Sequence, residues 1–123
     1  MRALLAILAC AAWISINEFV RNQVVLAHHW SAHYAALGLT FPSAPINGAV
    51  WGIWALCFAV ASFFIARRFN LLETASLAWF MGFVLMWLVI GNMAVLPYGI
   101  LPIAIPWSMV EALGAAYLLK KLA

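Results

Sequence analysis

Two histidines with the spacing of metal ligands lie in the stretch HHWSAH. His29 and His33 stand at i and i+4, which places two imidazoles on one face of a helix, as a zinc or haem-iron site requires. The glutamate that follows the first histidine in the HExxH pattern is absent, and the chain holds three histidines in all. Three interpretations stay open: metal binding, solvated histidines at a membrane interface, and proton handling near neutral pH.

The stretch INEFVRN, residues 16–22, carries a second group of polar side chains. Glu18 and Arg21 can form an ion pair at i, i+3, and Asn22 follows them. Asn47 and Asn92 stand at the ends of two other apolar segments, where each could instead cap a helix. We predict that these five residues line one shallow outer cavity and form its binding groups.

Glu111 is an acid inside the last apolar segment. About ten residues, or about 15 Å of helix, separate it from the end of that segment. An ionised carboxylate at mid-membrane costs about 3 kcal/mol on insertion scales, so we expect Glu111 to face other helices and to be protonated or paired. The sequence shows no lysine or arginine at the same depth. A binding or proton-carrying role and a hydrogen bond to another helix are the two alternatives.

The composition indicates what must position these groups. Of the 123 residues, 69% are hydrophobic and only 7% are charged, far from the usage of soluble domains. Four segments, 4–19, 49–66, 72–90 and 100–119, approach the roughly 20 residues that cross a bilayer, and none alternates as a strand would. We predict a single domain over residues 1–123, an all-α polytopic membrane protein with four transmembrane helices.

The same composition argues against several functions. Four spans leave no room for a soluble catalytic domain, and no complete set of catalytic residues is present. The basic residues are too few and too scattered to indicate nucleic-acid binding. No motif requires a cofactor. We therefore expect the lipid bilayer to be the main partner.

The connection between the first and second spans has the pattern of an amphipathic helix. At 100° per residue its polar and apolar residues separate onto two faces. The polar face holds Glu18, Arg21, Asn22, His29 and His33, and the other holds Phe19, Leu26, Trp30, Tyr34 and Leu37. We predict that the chain bends near residues 22–24 and that an amphipathic segment over 21–37 lies along the outer interface.

The basic residues predict an orientation. Arg2, Arg67, Arg68, Lys120 and Lys121 lie on one side of the four spans, and Arg21 is the only basic residue of the connections on the other. By the positive-inside rule both termini are cytoplasmic, in the inner membrane of a bacterium.

Two further patterns concern helix packing. Pro102 and Pro106 in the last span should kink or partly unwind it, because each removes an amide donor. Gly48 and Gly52 form a GxxxG pair, extended by Ala55 and Ala59, that lets another helix approach the second span closely.

The string NEFVRN, followed by HY, LG, FP, PING, WGIW and NMAVLP, resembles a set of small four-span bacterial inner-membrane proteins with no established function. The resemblance covers most of the chain. It implies a four-span fold and no particular activity.

Three functions are compatible with these residues. The leading hypothesis is a non-enzymatic interaction or accessory subunit that associates with itself or with another membrane protein. The second is a small-solute or proton-coupled transporter that uses Glu111. The third is a metal- or haem-binding membrane enzyme that depends on His29 and His33.

Overall fold

The computed structural model describes residues 1–123, is 84% helical and contains no strand. Its α-helices are α1 (Arg2–Phe19), α2 (Ala27–Ala36), α3 (Pro45–Ala66), α4 (Leu71–Trp79), α5 (Leu85–Asn92) and α6 (Leu101–Leu122). Two segments with wide π-helical turns lie between them: Val20–Val25 extends α1, and Phe80–Val84 joins α4 to α5. A short 3-10 turn, Tyr98–Ile100, precedes α6.

Four continuous helices are long and apolar enough to cross a membrane, as the sequence predicted. They are Arg2–Val25, Pro45–Ala66, Leu71–Asn92 and Tyr98–Leu122, with 24, 22, 22 and 25 residues. Each extends beyond its predicted bounds. The largest difference is at the first, which continues through Val20–Val25, a stretch that the sequence assigned to the outer connection. Arg21 therefore belongs to the first long helix and not to a separate outer amphipathic segment.

The core is built where α1 packs against α3 and α6, and where α6 packs against α4. Small side chains dominate it, so the helix axes come close together. Its buried residues are Ala6, Cys10, Ile14, Ala55, Phe58, Ala59, Phe63, Ala66, Ala78, Phe83, Ala115 and Leu119. Large apolar side chains such as Leu88 and Val110 lie exposed on the outside of the bundle, as expected of a surface that faces lipid.

Aromatic side chains pack tightly against two glycines that the sequence did not single out. A Cβ on Gly114 would overlap the indole of Trp13, and a Cβ on Gly82 would overlap the ring of Phe58. The predicted GxxxG pair behaves differently, since nothing lies within 4 Å of where a Cβ would stand on Gly48 or Gly52. Packing inside the chain therefore leaves this pair open.

Helix α6 is continuous through its prolines. Pro102 lies in the first turn, where a proline has no amide bond to lose, and Pro106 lies inside the helix. No residue of α6 is unwound, so the predicted unwinding is not observed.

Helix α2 begins later than the predicted amphipathic segment 21–37. Leu26 interrupts the helix with φ −105° and ψ 7°, and Gly38 follows the end of α2 at φ 75°. No residue of α2 is fully buried. Trp30 and Tyr34 both pack on Phe41, with ring centroids 5.5 and 5.1 Å away. The placement of α2 along a lipid interface stays a prediction.

Candidate functional site

A buried arginine joins two buried glutamates at the end of the bundle that carries α2. Arg21 Nη1 donates to Glu111 Oε1 at 2.6 Å, and Arg21 Nη2 donates to Glu18 Oε1. Only 3% of Arg21, 6% of Glu18 and none of Glu111 is exposed. Charges at this depth are tolerated when they are paired and hydrogen-bonded. We call these three residues the charge triad.

The wide turn after α1 positions the arginine. The amide of Leu26 donates to the carbonyl of Arg21, five residues back, at 2.8 Å. This π-type hydrogen bonding is frequent at functional sites, because the extra residue in the turn changes the direction of its side chains. The second π segment supplies Phe83, whose ring centroid lies 5.5 Å from the Arg21 guanidinium carbon. Both irregular segments thus meet at Arg21.

Glu111 is held by its backbone and by one carboxyl oxygen. The indole of Trp13 donates to the Glu111 carbonyl at 2.8 Å, and Gly114 leaves the room for that indole. Glu111 Oε1 accepts from Arg21, whereas Oε2 is buried without a hydrogen-bond partner. An ionised oxygen that is buried and unpaired is strongly destabilised, so Oε2 is the atom of the triad best placed to hold a proton.

Asn22 connects the charge triad to α2. Its Nδ2 donates to Glu18 Oε2 at 3.0 Å, and its Oδ1 accepts from the indole of Trp30 at 3.0 Å. Both oxygens of Glu18 therefore have partners, whereas only Oε1 of Glu111 has one. A second link between α1 and α6 runs from the Trp107 indole to Asn17 Oδ1, at 3.0 Å.

A cavity of about 410 Å³ opens above the triad, bounded by α2, the chain that follows α2, and the ends of α3, α5 and α6. Its volume falls in the range of roughly 300–1,000 Å³ that small-molecule sites occupy. Glu18 and Arg21 supply its charged lining, and Asn22 and Asn47 supply amides. Six aromatic side chains line the rest of it, and we call it the aromatic cavity: Trp30, Tyr34, Phe41, Trp51, Trp54 and Trp87.

A second hollow of about 260 Å³, the α1–α3 groove, lies beside this cavity. Its lining is Ser15, Glu18, Phe19, Asn22, Gln23, Gly48, Trp51 and Gly52. Glu18, Asn22 and Trp51 line both hollows. Glu18 is therefore approached from two directions.

The structure brings most of the predicted binding residues together. Glu18, Arg21, Asn22 and Asn47 line one cavity, although Asn47 also accepts the Ala44 amide at 3.1 Å as a helix cap. Asn92 does not join them, because it is exposed at the end of α5. The left-handed residue that ends this helix is Ala94, at φ 64°.

Glu111 faces other helices and is paired, as expected, but its partner is a basic residue that the sequence did not place at its depth. The sequence showed no basic residue at its depth because the first span was ended at residue 19. Since the helix continues through the π segment, Arg21 reaches Glu111 from the neighbouring long helix. The predicted outer cluster and the predicted intramembrane acid are thus parts of one network.

The two histidines with metal-ligand spacing, His29 and His33, differ in their environment. His33 Nε2 donates to the carbonyl of Ala94 at 2.8 Å, and His29 is exposed. No group of three or more histidine, cysteine or acidic side chains lies close enough together to hold a metal ion. Metal binding by His29 and His33 stays a prediction.

Sequence reasoning missed the aromatic lining of the site. No periodicity distinguishes the tryptophans that line the cavity from those that fill the core or face outward. The one signal available was their number, seven in 123 residues.

No protein-family model matches the chain, and no curated protein or solved structure is significantly similar to it.

Proposed function

We propose that this chain is a small integral membrane protein that binds a small solute in the aromatic cavity and couples this binding to a proton on Glu111. This is the second of the three functions considered above, a proton-coupled transporter or permeation subunit. One observation supports this proposal most strongly. Arg21 links the floor of a cavity large enough for a solute to a fully buried carboxyl group whose second oxygen has no partner.

The coupling follows from the position of Arg21 between two acids. While Glu111 carries a proton, the guanidinium balances the charge of Glu18 alone. When that proton leaves, the guanidinium is shared between two carboxylates. A solute that changes the charge near Glu18 therefore changes the proton affinity of Glu111, and by linkage the proton changes the affinity for the solute.

The placement in the membrane is part of the proposal. We infer that both termini face the cytoplasm of a bacterial cell and that the aromatic cavity opens on the outer side of the inner membrane. The basic residues at one end of the bundle support this orientation. At that end Lys120 Nζ donates to the Ala66 carbonyl at 2.6 Å, so the ends of α6 and α3 lie together. A reporter that is active only in the cytoplasm should therefore be active when it is fused to the C-terminus.

The direct test uses purified protein in proteoliposomes with a pH-sensitive dye inside. Small cations, anions and neutral solutes are added outside, and proton movement is followed. We expect one class to drive proton flux in the wild type and none to do so in Glu111→Gln. Glu73→Gln is the matched control, because Glu73 is an exposed acid that caps α4 far from the triad. Unchanged flux in Glu111→Gln would disprove the mechanism.

The interaction-subunit hypothesis remains a second candidate, on a separate observation. Gly48 and Gly52 are exposed, and nothing lies within 4 Å of where a Cβ would stand on either, so a small-residue surface is open to another helix. Crosslinking in mild detergent tests it: a stoichiometric homo-oligomer or membrane-protein partner supports the hypothesis, and a lone monomer contradicts it.

Elemental analysis and an absorption spectrum of the purified protein test the metal-dependent alternative, since absence of metal and haem would rule it out.

A further inference from the structure

The charge of the site favours a positive ligand. Glu18 and Arg21 are the only charged side chains that line either hollow. The Arg21 guanidinium is already engaged by two carboxylates, so it is not free to bind an anion. With both acids ionised, two carboxylates and one guanidinium leave the charge triad at a net charge of −1. An added cation would bring this buried group to neutrality, whereas an added anion would have no free partner.

The aromatic wall favours a cation that needs no hydrogen bonds. The faces of tryptophan and tyrosine rings attract positive charge, and aromatic side chains around a carboxylate suit quaternary ammonium ions. The amides of the cavity are largely occupied. Both polar groups of Asn22 are bonded, to Glu18 and to Trp30, and Asn47 Oδ1 accepts the Ala44 amide.

The α1–α3 groove provides space for an apolar substituent. It meets the aromatic cavity at Glu18 and Trp51, and Gly48 and Gly52 place no side chain in it. A ligand whose charge lies beside Glu18 can therefore extend an apolar group along this groove.

From these observations we propose that the ligand is a small amphipathic organic cation, and that one proton leaves Glu111 for each cation bound. The inference rests on the proposed function and names its substrate class. Without ligand, protonated Glu111, Arg21 and ionised Glu18 sum to zero charge. With ligand, two carboxylates, Arg21 and the cation again sum to zero. The buried site is neutral in both states, which is the condition for low cost in a medium of low dielectric constant.

No other titratable group around Glu111 is placed to bind and release the proton in its stead. Apart from Glu18 and the exposed Arg2, the one titratable side chain on α1 is the thiol of Cys10, which is buried. The titratable side chains on α3 and α4, Cys57 and Glu73, are exposed. Helix α5 contributes no titratable residue.

The test compares three probes of one shape. Benzyltrimethylammonium is the cation, neopentylbenzene is its uncharged isostere, and benzylsulfonate is an anion of similar size. Binding to purified protein in detergent is followed by tryptophan fluorescence, and proton release by the acidification of weakly buffered solution. We expect the cation to bind best, with one proton released per cation and an affinity that rises up to tenfold per pH unit. Equal binding of the uncharged isostere, preferential binding of the anion, or absence of proton release would overturn the proposal.

Three variants test the roles of Glu111, of Trp51 and of the α1–α3 groove separately. In Glu111→Gln, cation binding should weaken and lose both its pH dependence and its proton release. Trp51→Leu should weaken cation binding about fivefold without affecting the uncharged isostere. Gly52→Leu should reduce binding of benzyldimethyloctylammonium at least tenfold more than binding of benzyltrimethylammonium. Ala49→Leu, on the same helix but outside both hollows, should change neither.

Measurements of cation binding and of proton flux test the ligand class and the transport function separately. Cation binding with proton release, but without flux in proteoliposomes, would support the ligand class and disprove transport. Proton-coupled flux of an anion or a neutral solute, without cation binding, would support transport and overturn the ligand class.

Discussion

Arg21 donates to Glu111 at 2.6 Å across 90 residues of sequence, and this contact joins the first long helix to the last. It also joins two features that are separate in the sequence, a polar helix end and a buried acid. The contact places a guanidinium at the floor of a cavity and a carboxyl group behind it, out of reach of solvent.

Removal of the arginine should be far more damaging than removal of the whole charge triad. Arg21→Met leaves the buried carboxylate of Glu18 without its guanidinium partner, and we expect a loss of about 3–5 kcal/mol in the free energy of unfolding. The triple variant Glu18→Gln, Arg21→Met, Glu111→Gln should recover most of that loss, since no charge is then buried. Unfolding by SDS, followed by tryptophan fluorescence, measures both.

The control for that comparison is Arg67→Met, since Arg67 is an exposed arginine at the other end of the bundle. It should alter the free energy of unfolding by less than about 0.5 kcal/mol. A triple variant no more stable than Arg21→Met would contradict the network described here.

Gly114 should tolerate no side chain, although Gly48 should. A Cβ on Gly114 would stand 2.5 Å from Trp13 Cζ2, so Gly114→Ala should lower the free energy of unfolding by about 1–3 kcal/mol through overpacking. Trp13→Phe in the same chain should relieve part of this cost. Gly48→Ala meets open space and should be close to neutral. If both glycine variants had equal effects, the close approach of Trp13 to α6 would be wrong.

His33 should hold α2 in place, while His29 should not. The bond from His33 to the Ala94 carbonyl ties α2 to the connection after α5, and its loss should cost about 1 kcal/mol. Hydrogen exchange of the α2 amides should therefore speed up in His33→Ala and stay unchanged in His29→Ala. Similar exchange in both variants would argue against this contact.

The fold could be predicted from the sequence to a useful degree, because hydrophobic length alone identifies helices that can cross a bilayer. The charge triad could not. Arg21 looked like a residue of the connection, since a run of apolar residues ends at Phe19 and nothing in the string VRNQVV reveals a π-helical turn. The pairing of Arg21 with Glu111 is a tertiary contact between the first and last long helices, which composition and periodicity do not describe.

The sequence also did not identify the glycines at which the chain packs tightly. The GxxxG pattern pointed to Gly48 and Gly52, whereas the glycines against which a side chain packs tightly are Gly82 and Gly114. A spacing rule identifies a surface that a helix can approach, but the large partner side chain decides where it does so. Here those partners are Phe58 and Trp13, both distant in sequence from the glycines they cover.

Infrared difference spectroscopy can detect the proton that we place on Glu111. The spectrum of Glu111→Gln is subtracted from that of the wild type in lipid, with Glu18→Gln measured in the same way. We predict that the carbonyl stretching band of a protonated carboxylic acid is lost in Glu111→Gln and kept in Glu18→Gln. Loss of carboxylate bands alone in Glu111→Gln, with no protonated-acid band in the wild type, would contradict it.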